Sequence, residues 1–501
     1  MNRSIALNFT LLALLLITPP PLAEGACYSI VVGKAATTDG SVLFGHNEDN
    51  NPEDLAGMRG VARVRHAPGE WVTLPGGGRT PQIDTTFAYW CLQMPALDYS
   101  DAYLNEHGVA LASNNCPSRE DMPELTSGGI GGPVLRRLVA ERARSAREGV
   151  RLVGALVSQF GYTASGRTLV ICDPQEGWLV SMVNGKHWVA ARVPDDAVAV
   201  IANTYTIREV DLADTLNYLG SSDLIDYAVR RGWYEPASGP FNFEAAYADP
   251  ETREQAGNTH RQWSGLRRIC ADEVPLPEAA RLPFAVRPSV PLSVPDLTQM
   301  LRDHYEGTPY RRGSGYDGRS PHEGHTPTIC SPRTNSSSIF QLRSAMPIEI
   351  GAVWWLALWQ PCSTPYLPFY PGAQPVPAEL DLAHSRSPGD VIEGNALWEL
   401  IEGDAPGNGM ANAPGTLESA YSIFGRLALW VEADYPERIA GAIALWQESE
   451  EASYRFQGTL ERYALMEWKA QPAMAAEILK RHSLGTLIGA SQRARALMLH
   501  D

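Results

Sequence analysis

The chain has 501 residues, of which 44% are hydrophobic and 20% are charged, and its formal net charge at pH 7 is −16. This length and apolar content are sufficient for one large globular domain or two ordinary ones. The negative charge argues against a nucleic-acid partner, because binding phosphates requires basic patches.

The first 26 residues have the pattern of an export signal. Arg3 lies near the start, an apolar run covers residues 5–17, and prolines and small residues precede Cys27. The run is too short to span a membrane, so we expect no stable membrane insertion once the signal is removed. Cleavage after Ala26 exposes Cys27 directly. Cleavage after Ala23 leaves a three-residue propeptide, which the Cys27 thiol would remove by attacking the Ala26 carbonyl. The pattern therefore predicts a secreted or periplasmic protein.

Cys27 would then be the first residue of the mature protein. Its thiol is a nucleophile, and its free α-amine, with a pKa of about 7.7–8.0, accepts a proton near neutral pH. The anchor cysteine of a bacterial lipoprotein occupies a similar position. That signal needs an aliphatic residue where this chain has Glu24. The sequence therefore favours a catalytic Cys27 over a lipid anchor.

The segment after Cys27 predicts a β-hairpin. Residues 28–33 form a β-rich run, Asp39-Gly40 is a turn signal, and residues 41–45 run back. The polar residues 46–49 follow at once. A returning strand brings Asp49 and its neighbours to the end of the hairpin where Cys27 lies.

After the first hairpin, the sequence predicts a second hairpin, then a helical stretch, then a group of strands. A second hairpin is predicted over residues 103–113 and ends on Asn114-Asn115, and a helical pattern extends from Pro133 to about residue 161. A meander follows, with strands at residues 168–172, 178–183, 187–193 and 197–202, the last ending at Asn203. Antiparallel strands with helices in separate blocks predict an α+β fold.

The remaining chain is less regular until its end. Residues 205–295 predict helices and loops, residues 296–305 a short helix, and the segment to about residue 335 a long loop. Strands return at 337–343 and 351–359, and residues 416–497 are mostly helical by spacing. We expect this helical end either to cap the sheets or to support contacts in a homo-oligomer.

The cysteines and histidines predict no metal site. The chain has seven cysteines, and in an oxidising compartment an odd number leaves at least one unpaired, for which Cys27 is the natural candidate. The others are equally compatible with buried thiols, and none shows the CxxC spacing of a zinc site. His322-Glu323-Gly324-His325 lacks the HExxH spacing. We therefore predict no metal and no other cofactor.

Several segments, in their order along the chain, resemble one family. They are Cys27-Tyr28-Ser29-Ile30-Val31-Val32-Gly33-Lys34, Asn47-Glu48-Asp49, Asn105-Glu106-His107-Gly108, Glu141-Arg142-Ala143-Arg144-Ser145, His187-Trp188-Val189-Ala190 through to Asn203, and Leu301-Arg302-Asp303-His304-Tyr305. The chain is similar to the bacterial dipeptidase A family, cysteine hydrolases of the N-terminal-nucleophile superfamily. The resemblance spans roughly residues 27–375.

The resemblance implies an αββα sandwich and hydrolysis of short peptides. The signal would cover residues 1–26, the N-terminal-nucleophile domain 27–400 and a mostly helical extension 401–501. Cys27 would attack the peptide carbonyl and form an acyl-enzyme. By similarity, Asp49 would orient the α-amine.

Other residues are candidates for stabilising the oxyanion or for binding the substrate. Asn203 and Asn115, or its neighbour Asn114, are candidate donors to the oxyanion, because side-chain amides can serve there. His46, Asn47 and Arg333 are candidates for substrate binding. His46 stands where related enzymes often carry arginine, and Arg333 has the bidentate geometry that suits a carboxylate.

Two other functions remain compatible with the sequence. One keeps the fold and the nucleophile but hydrolyses a non-peptide amide, as an amidase or acylase. The other is a non-enzymatic lipoprotein anchored through Cys27. The chemical state of the mature N-terminus and the cleavage of dipeptides distinguish these alternatives.

Overall fold

The computed structural model describes residues 27–50, 56–94, 99–270, 274–276, 281–311, 319–323, 327–372, 376–380 and 419–499. The predicted export signal lies outside the described residues. So do His325 and the predicted domain boundary at residue 400.

Two antiparallel sheets dominate the described part of the chain. The first has the strand order β16-β14-β1-β2-β17-β18-β19, and the second has the order β15-β13-β12-β11-β10-β9-β8-β3; β4 pairs with β7 and β5 with β6. The strands are β1 Tyr28–Val32, β2 Val42–Asp49, β3 Gly57–Val61, β4 Val64–Arg65, β5 Trp71–Thr73, β6 Arg79–Pro81, β7 Thr85–Thr86, β8 Tyr89–Met94, β9 Tyr99–Asn105, β10 Ala110–Asn115, β11 Tyr162–Cys172, β12 Gly177–Gly185, β13 Trp188–Val193, β14 Val198–Ile201, β15 Tyr218–Gly220, β16 Ala285–Val286, β17 Thr334–Leu342, β18 Ala352–Leu358 and β19 Leu367–Phe369.

The helices precede, connect and follow these strands. They are α1 Gly132–Arg142, α2 Ala146–Phe160, α3 Leu224–Arg230, α4 Phe243–Tyr247, α5 Pro250–Glu254, α6 Ala256–Arg267, α7 Val294–Leu301, α8 Ile348–Gly351, α9 Ala420–Ala433, α10 Tyr435–Trp468 and α11 Pro472–Leu499. Within the described ranges, none of them combines the length and apolarity needed to cross a membrane.

Three apolar layers hold the sheets and helices together. Between the sheets, Val31 and Phe44 of the first sheet join Val170 and Leu179 of the second in one buried cluster. The outer face of the first sheet packs on α6, α7, α10 and α11, and the outer face of the second packs on α1 and α2. Alternate residues of each strand therefore serve opposite layers. The arrangement confirms the predicted α+β class and αββα sandwich.

The structure confirms both predicted hairpins, since β1 pairs with β2 and β9 with β10. The predicted helix near residues 133–161 is instead two helices, because Ser145 caps a new N-terminus by accepting from the backbone N–H of Glu148. The C-terminal residues that the structure describes are helical, as predicted, in α9, α10 and α11.

One strand of the predicted meander belongs elsewhere. β14 does not continue the second sheet but pairs with β1 in the first. The chain crosses between the sheets at Pro194 and Asp195, which pass so close to Gly33 that a Cβ there would lie 2.3 Å from the Pro194 carbonyl oxygen. Glycine at position 33 therefore permits the crossing, which brings Asn203, just beyond β14, toward Cys27.

Candidate active site

The register of the first hairpin decides which side chains face Cys27. Tyr28 lies opposite Asn47 and Ser29 opposite His46, so the next pair outward is Cys27 and Glu48. Residues directly opposite in an antiparallel pair share a face. The Cys27 thiol accordingly donates to Oε2 of Glu48 at 3.3 Å, while the side chain of Asp49 is directed to the other face.

His46 lies behind this pair in a buried charged cluster. Its Nε2 is 2.9 Å from Oδ2 of Asp101 and 3.1 Å from Oε2 of Glu48. Its Nδ1 is 2.8 Å from the hydroxyl of Ser29, which itself donates to Asn114. Because the Ser29 hydroxyl gives its proton to Asn114, it can only accept from Nδ1 of His46. Nε2 donates to Glu48, with the Asp101 carboxylate beside it. His46 is therefore an imidazolium.

The pKa values of the cluster agree with this hydrogen bonding. Burial alone would lower the pKa of His46, but Asp101 and Glu48 raise it to about 9. Burial would raise the pKa of Asp101, yet His46 and then Arg136 hold it below its usual value. Burial and the Asp101 charge raise the pKa of Glu48 to about 7, with His46 opposing them. Glu48 is thus a carboxyl group whose charge changes near neutral pH.

The Cys27 thiol is held in its protonated form. The residue is 4% exposed. Burial raises the pKa of the thiol well above its usual value, and the negative charges of Glu48, Asp101 and Asp49 raise it further. A thiolate is the nucleophilic form. In the full-length chain, therefore, the surroundings oppose the reactive state of Cys27.

The Asp49 carboxylate is held by two hydroxyl groups rather than by the Cys27 thiol. Its carboxylate accepts from the hydroxyls of Ser331 at 2.8 Å and Thr334 at 2.6 Å. Burial raises the pKa of Asp49 to about 6, against the opposing effects of the Thr334 hydrogen bond and the Arg261 charge. Both hydroxyl groups fix the carboxylate in one position, on the side of the sheet where Arg261 lies.

Arg261 of α6 connects Cys27 to the two predicted asparagines. Its Nη1 donates to the Cys27 carbonyl oxygen at 3.1 Å, and its Nη2 donates to Oδ1 of Asn203 at 2.9 Å. Nδ2 of Asn203 then donates to the backbone carbonyl of Asn115 at 3.0 Å. The structure thus connects Cys27 with the side chain of Asn203 through Arg261, and Asn203 with the backbone of Asn115; a role for the Asn115 side chain stays a prediction.

The three predicted substrate-binding residues occupy different surroundings. His46 is buried in the charged cluster. Asn47 is also buried; it donates to the carbonyls of Leu301 and Ile329 at 2.9 and 2.8 Å and accepts from Ser337. Half-buried Arg333 donates to the Asn50 carbonyl at 3.3 Å. Its charge also contributes to lowering the pKa of Asp49. Substrate binding by all three stays a prediction.

Sequence reasoning missed Glu48, Asp101 and Arg261. Glu48 was partly accessible to it, because alternation from the Asp39-Gly40 turn puts Glu48, and not Asp49, on the same face as Cys27. That turn does not give the observed pairing, since the connection between β1 and β2 is longer than two residues. Asp101 and Arg261 come from β9 and α6, and no local pattern connects them to the hairpin. Their contribution is visible only once the two sheets and α6 are packed.

The chain matches the model of a known protein family. Peptidase family C69 matches residues 26–399. A probable dipeptidase of Latilactobacillus sakei is 30% identical over 386 residues, covering 74% of this chain and 79% of the relative. A probable dipeptidase of Salmonella dublin is 29% identical over 359 residues, covering 69% and 81% respectively. A dipeptidase of Bifidobacterium longum is 28% identical over 424 residues, covering 74% and 75%.

Solved structures add a remote likeness. A mutant of conjugated bile acid hydrolase from Clostridium perfringens is 14% identical with a TM-score of 0.30, covering 67% of this chain and 89% of that one. An N-acylethanolamine-hydrolyzing acid amidase ortholog from Caenorhabditis elegans is 11% identical with a TM-score of 0.25, covering 63% and 92%.

Proposed function

The chain belongs to peptidase family C69, and on this premise we propose that it is an exported dipeptidase whose nucleophile is Cys27. Membership in the family supports a peptidase or amidase. The observation that carries the finer proposal is the position of Cys27. Cys27 directly precedes β1, its thiol contacts Glu48, and the family match begins one residue before it.

Removal of residues 1–26 would place a positive charge beside the Cys27 thiol and so lower its pKa. Cleavage before Cys27 converts a neutral amide nitrogen into an α-ammonium group within the same residue. At 4 Å and an effective dielectric constant of 20, a unit charge contributes about 4 kcal/mol, which corresponds to about three pKa units. This effect acts against the burial and the negative charges of Glu48, Asp101 and Asp49, which raise the pKa of the thiol. The leader would therefore keep the enzyme inactive until export is complete.

In the proposed reaction, Cys27 is the only protein group needed as nucleophile and base. The thiol proton passes to the α-amine, and the thiolate attacks the carbonyl carbon of the peptide. When the C–N bond breaks, the α-ammonium returns a proton to the departing amine. Water then attacks the acyl-enzyme while the amine accepts its proton, and the second product leaves with the thiol restored.

The neighbouring residues have distinct roles in this proposal. Arg261 donates to both the Cys27 carbonyl and the Asn203 side chain, so Asn203 lies near Cys27. Its amide is suited to donate to the oxyanion once it releases the Asn115 carbonyl. Asp49 is buried, its carboxylate is held by the Ser331 and Thr334 hydroxyls, and we assign it the role of orienting the new α-ammonium. Arg261 is a positioning residue, since it contacts the Cys27 carbonyl and not the thiol.

The first experiment identifies the mature N-terminus. The full-length gene is expressed with its leader in a bacterial host that exports it, and the intact mass and N-terminal peptide of the product are measured. We expect a secreted or periplasmic product that begins with an unmodified Cys27. A diacylglyceryl adduct on Cys27 would identify a lipoprotein. Retention of the leader on an active enzyme would contradict the amine as base.

The second experiment defines the substrate. A dipeptidase must recognise charged termini, and a charge-assisted hydrogen bond to a terminus contributes about 1.5–3 kcal/mol. Free dipeptides should therefore be cleaved roughly 10- to 150-fold faster, in kcat/KM, than their N-acetylated or C-amidated forms. A denatured protein should hardly be cleaved. Equal rates across this panel would contradict a dipeptidase. Cleavage of only the acylated member would identify an amidase.

A further inference from the structure

Four metal-ligand side chains converge away from Cys27. They are His304 after α7, His322 from the described segment 319–323, Cys330 before β17 and Cys362 after β18. One donor atom from each lies within 4.8 Å of all the others. The four residues are 4%, 9%, 0% and 7% exposed, respectively. A group of two imidazoles and two thiols is thus assembled in the interior.

Each histidine directs its Nε2 atom toward the other donor atoms of this group. Nδ1 of His304 contacts Oε1 of Glu306 at 3.0 Å, and Nδ1 of His322 contacts Oε1 of Glu432 at 2.6 Å. A carboxylate accepts hydrogen bonds, so both Nδ1 atoms carry the proton. In neutral imidazoles, both Nε2 atoms then present lone pairs, and these two atoms are 3.1 Å apart. Facing lone pairs repel unless a cation or a proton lies between them.

The spacing of the donor atoms fits a tetrahedral ion. Zinc bond lengths of about 2.05 Å to nitrogen and 2.3 Å to sulfur imply tetrahedral edges of about 3.4 Å for N–N and 3.6 Å for N–S. The Nε2 of His322 is 3.1 Å from that of His304, and it is 3.7 and 3.8 Å from the sulfur atoms of Cys330 and Cys362. The donors therefore already surround a space close to the required size.

We propose that His304, His322, Cys330 and Cys362 form a structural site for a divalent transition-metal ion, with zinc as its preferred occupant. Two thiolates, two imidazoles and tetrahedral spacing are the donor set and geometry that zinc favours. The ligands bind in their deprotonated forms, and the two thiolates balance the charge of the ion. Four protein ligands leave no open position for water, so the site is structural rather than catalytic.

The surroundings supply the outer contacts that metal-bound histidines usually have. A carboxylate on the non-ligating nitrogen fixes the tautomer and the ring orientation. Glu306 provides this contact to His304 from the same segment, whereas Glu432 provides it to His322 from α9. The ion would therefore tie the described segment 319–323 and the C-terminal helices to the first sheet.

The site also adjoins the segment that supports the hairpin. The carbonyl of Ile329 accepts from Asn47, and the hydroxyl of Ser331 donates to Asp49. Cys330 lies between these two residues. An ion bound to Cys330 would hold both contacts in place, which couples the metal to the stability of the hairpin and to the position of Asp49.

Metal analysis of the full-length protein tests the proposal. After purification without chelators and reconstitution with zinc under reducing conditions, we expect about one ion per chain. Cys362→Ser and His322→Ala should retain less than about a tenth of this. Cys270→Ser, which removes a half-buried thiol outside the cluster, should bind like the wild type. Absence of bound zinc from the folded wild-type protein, or equal binding by all variants, would overturn the proposal.

A second measurement applies if the ligand variants do not fold. Cobalt added to the folded wild-type chain should give sulfur-to-cobalt charge-transfer bands and the intense visible bands of a tetrahedral ion. Glu432→Gln keeps all four ligands but weakens the outer contact, so its affinity in a chelator competition should be about 10- to 100-fold lower. Unchanged affinity would argue against the assigned geometry.

The alternative to a bound metal ion is a disulfide bond between Cys330 and Cys362. In an oxidising compartment, Cys330 and Cys362 are close enough to be considered as partners. Peptide mapping of the exported protein, with free thiols alkylated before digestion, distinguishes the two states. Zinc-protected thiols that alkylate only after chelation would support the proposal. A crosslink between Cys330 and Cys362 in the native protein would overturn it.

Discussion

Two buried groups in this protein contain the same residue types and differ in what the histidine contacts. At the hairpin, both nitrogens of His46 donate, Nδ1 to Ser29 and Nε2 to Glu48, and the Asp101 carboxylate lies 2.9 Å from Nε2. At the proposed metal site, each histidine uses one nitrogen for a carboxylate and turns the other toward two thiols. Residue type alone therefore does not distinguish the proposed nucleophile from the proposed metal ligands.

The difference has an electrostatic consequence. Cys27, His46 and Glu48 also present donor atoms within 4.8 Å of one another. An imidazolium has no lone pair to offer, however, so His46 cannot ligate a metal while it remains protonated. At the hairpin, a carboxylate and a hydroxyl occupy both nitrogens of His46, whereas at the second group the Nε2 atoms of His304 and His322 face each other and two sulfur atoms, where we propose that a cation binds.

The largest expected contrast comes from removing one thiol in each group. Cys27→Ala should lower dipeptide hydrolysis at least about a thousandfold, because the nucleophile is lost, while the thermal unfolding midpoint changes little. Cys362→Ser should instead lower the unfolding midpoint, because the metal loses a ligand. Matched assays of both variants check this, with Cys270→Ser as the control. Activity of Cys27→Ala within a few-fold of the wild type would exclude the proposed mechanism.

A somewhat smaller effect is expected at Asn203. If its amide stabilises the oxyanion, Asn203→Ala should reduce kcat by about 100- to 1,000-fold with little change in KM. Steady-state kinetics on one dipeptide measure both parameters. The control is Asn217→Ala, which removes an exposed amide bound to Asp214. A change confined to KM would assign Asn203 to substrate binding instead.

The imidazolium of His46 should appear in the pH dependence of stability. Its folded-state pKa of about 9 lies above an unfolded value of about 6.5, so its contribution is complete below 6.5 and is lost as the pH rises through 9. Burial and Asp101 raise the pKa of Glu48 to about 7, which affects stability mainly below neutral pH. Between pH 7 and 9, one proton corresponds to about 1.4 kcal/mol per pH unit.

Urea unfolding across this pH range tests the assignment. Wild type should lose stability between pH 7 and 9, whereas His46→Gln should lack that part of the slope. His66→Gln serves as the control, because His66 contacts Glu70 and Thr86 outside the cluster. Identical slopes for wild type and His46→Gln would mean that His46 is neutral, and the contrast between the two groups would fail.

The smallest expected effect concerns Glu48. Its negative charge raises the pKa of the Cys27 thiol, so Glu48→Gln should lower that pKa by about one unit while burial still holds it above the usual value. The rate of Cys27 alkylation against pH, followed by peptide mass spectrometry, gives the pKa. Exposed Glu235→Gln is the control. An unchanged or higher pKa would show that the hydrogen bond to Glu48 matters more than its charge.

Part of the site could be predicted from the sequence because it is local. Asp39-Gly40 and the apolar runs on either side indicate the first hairpin, and its polar end follows directly in the chain. Choosing the facing residue needed the exact register as well. A shift of one residue moves a side chain to the other face, which separates Glu48 from Asp49.

Other parts had no local signal. β14 follows the meander in sequence but joins the first sheet, because Gly33 allows the chain to cross beside it. The cysteines of the proposed metal site have no zinc-like spacing, and the sequence accordingly predicted no metal. His304, His322, Cys330 and Cys362 meet only because α7, β17 and β18 pack side by side.

The sequence by itself therefore determined the position of Cys27 behind an export-like leader, the turns and strand periodicity of the hairpins, and the order of the segments that resemble one family. These features depend on residues close together in the chain. Tertiary structure decided that Asp101 and Arg261 reach the same hairpin, and that the Nε2 atoms of His304 and His322 lie together with two sulfur atoms. Such contacts depend on how distant segments pack across two sheets, and strand periodicity and turn chemistry carry no information about that packing.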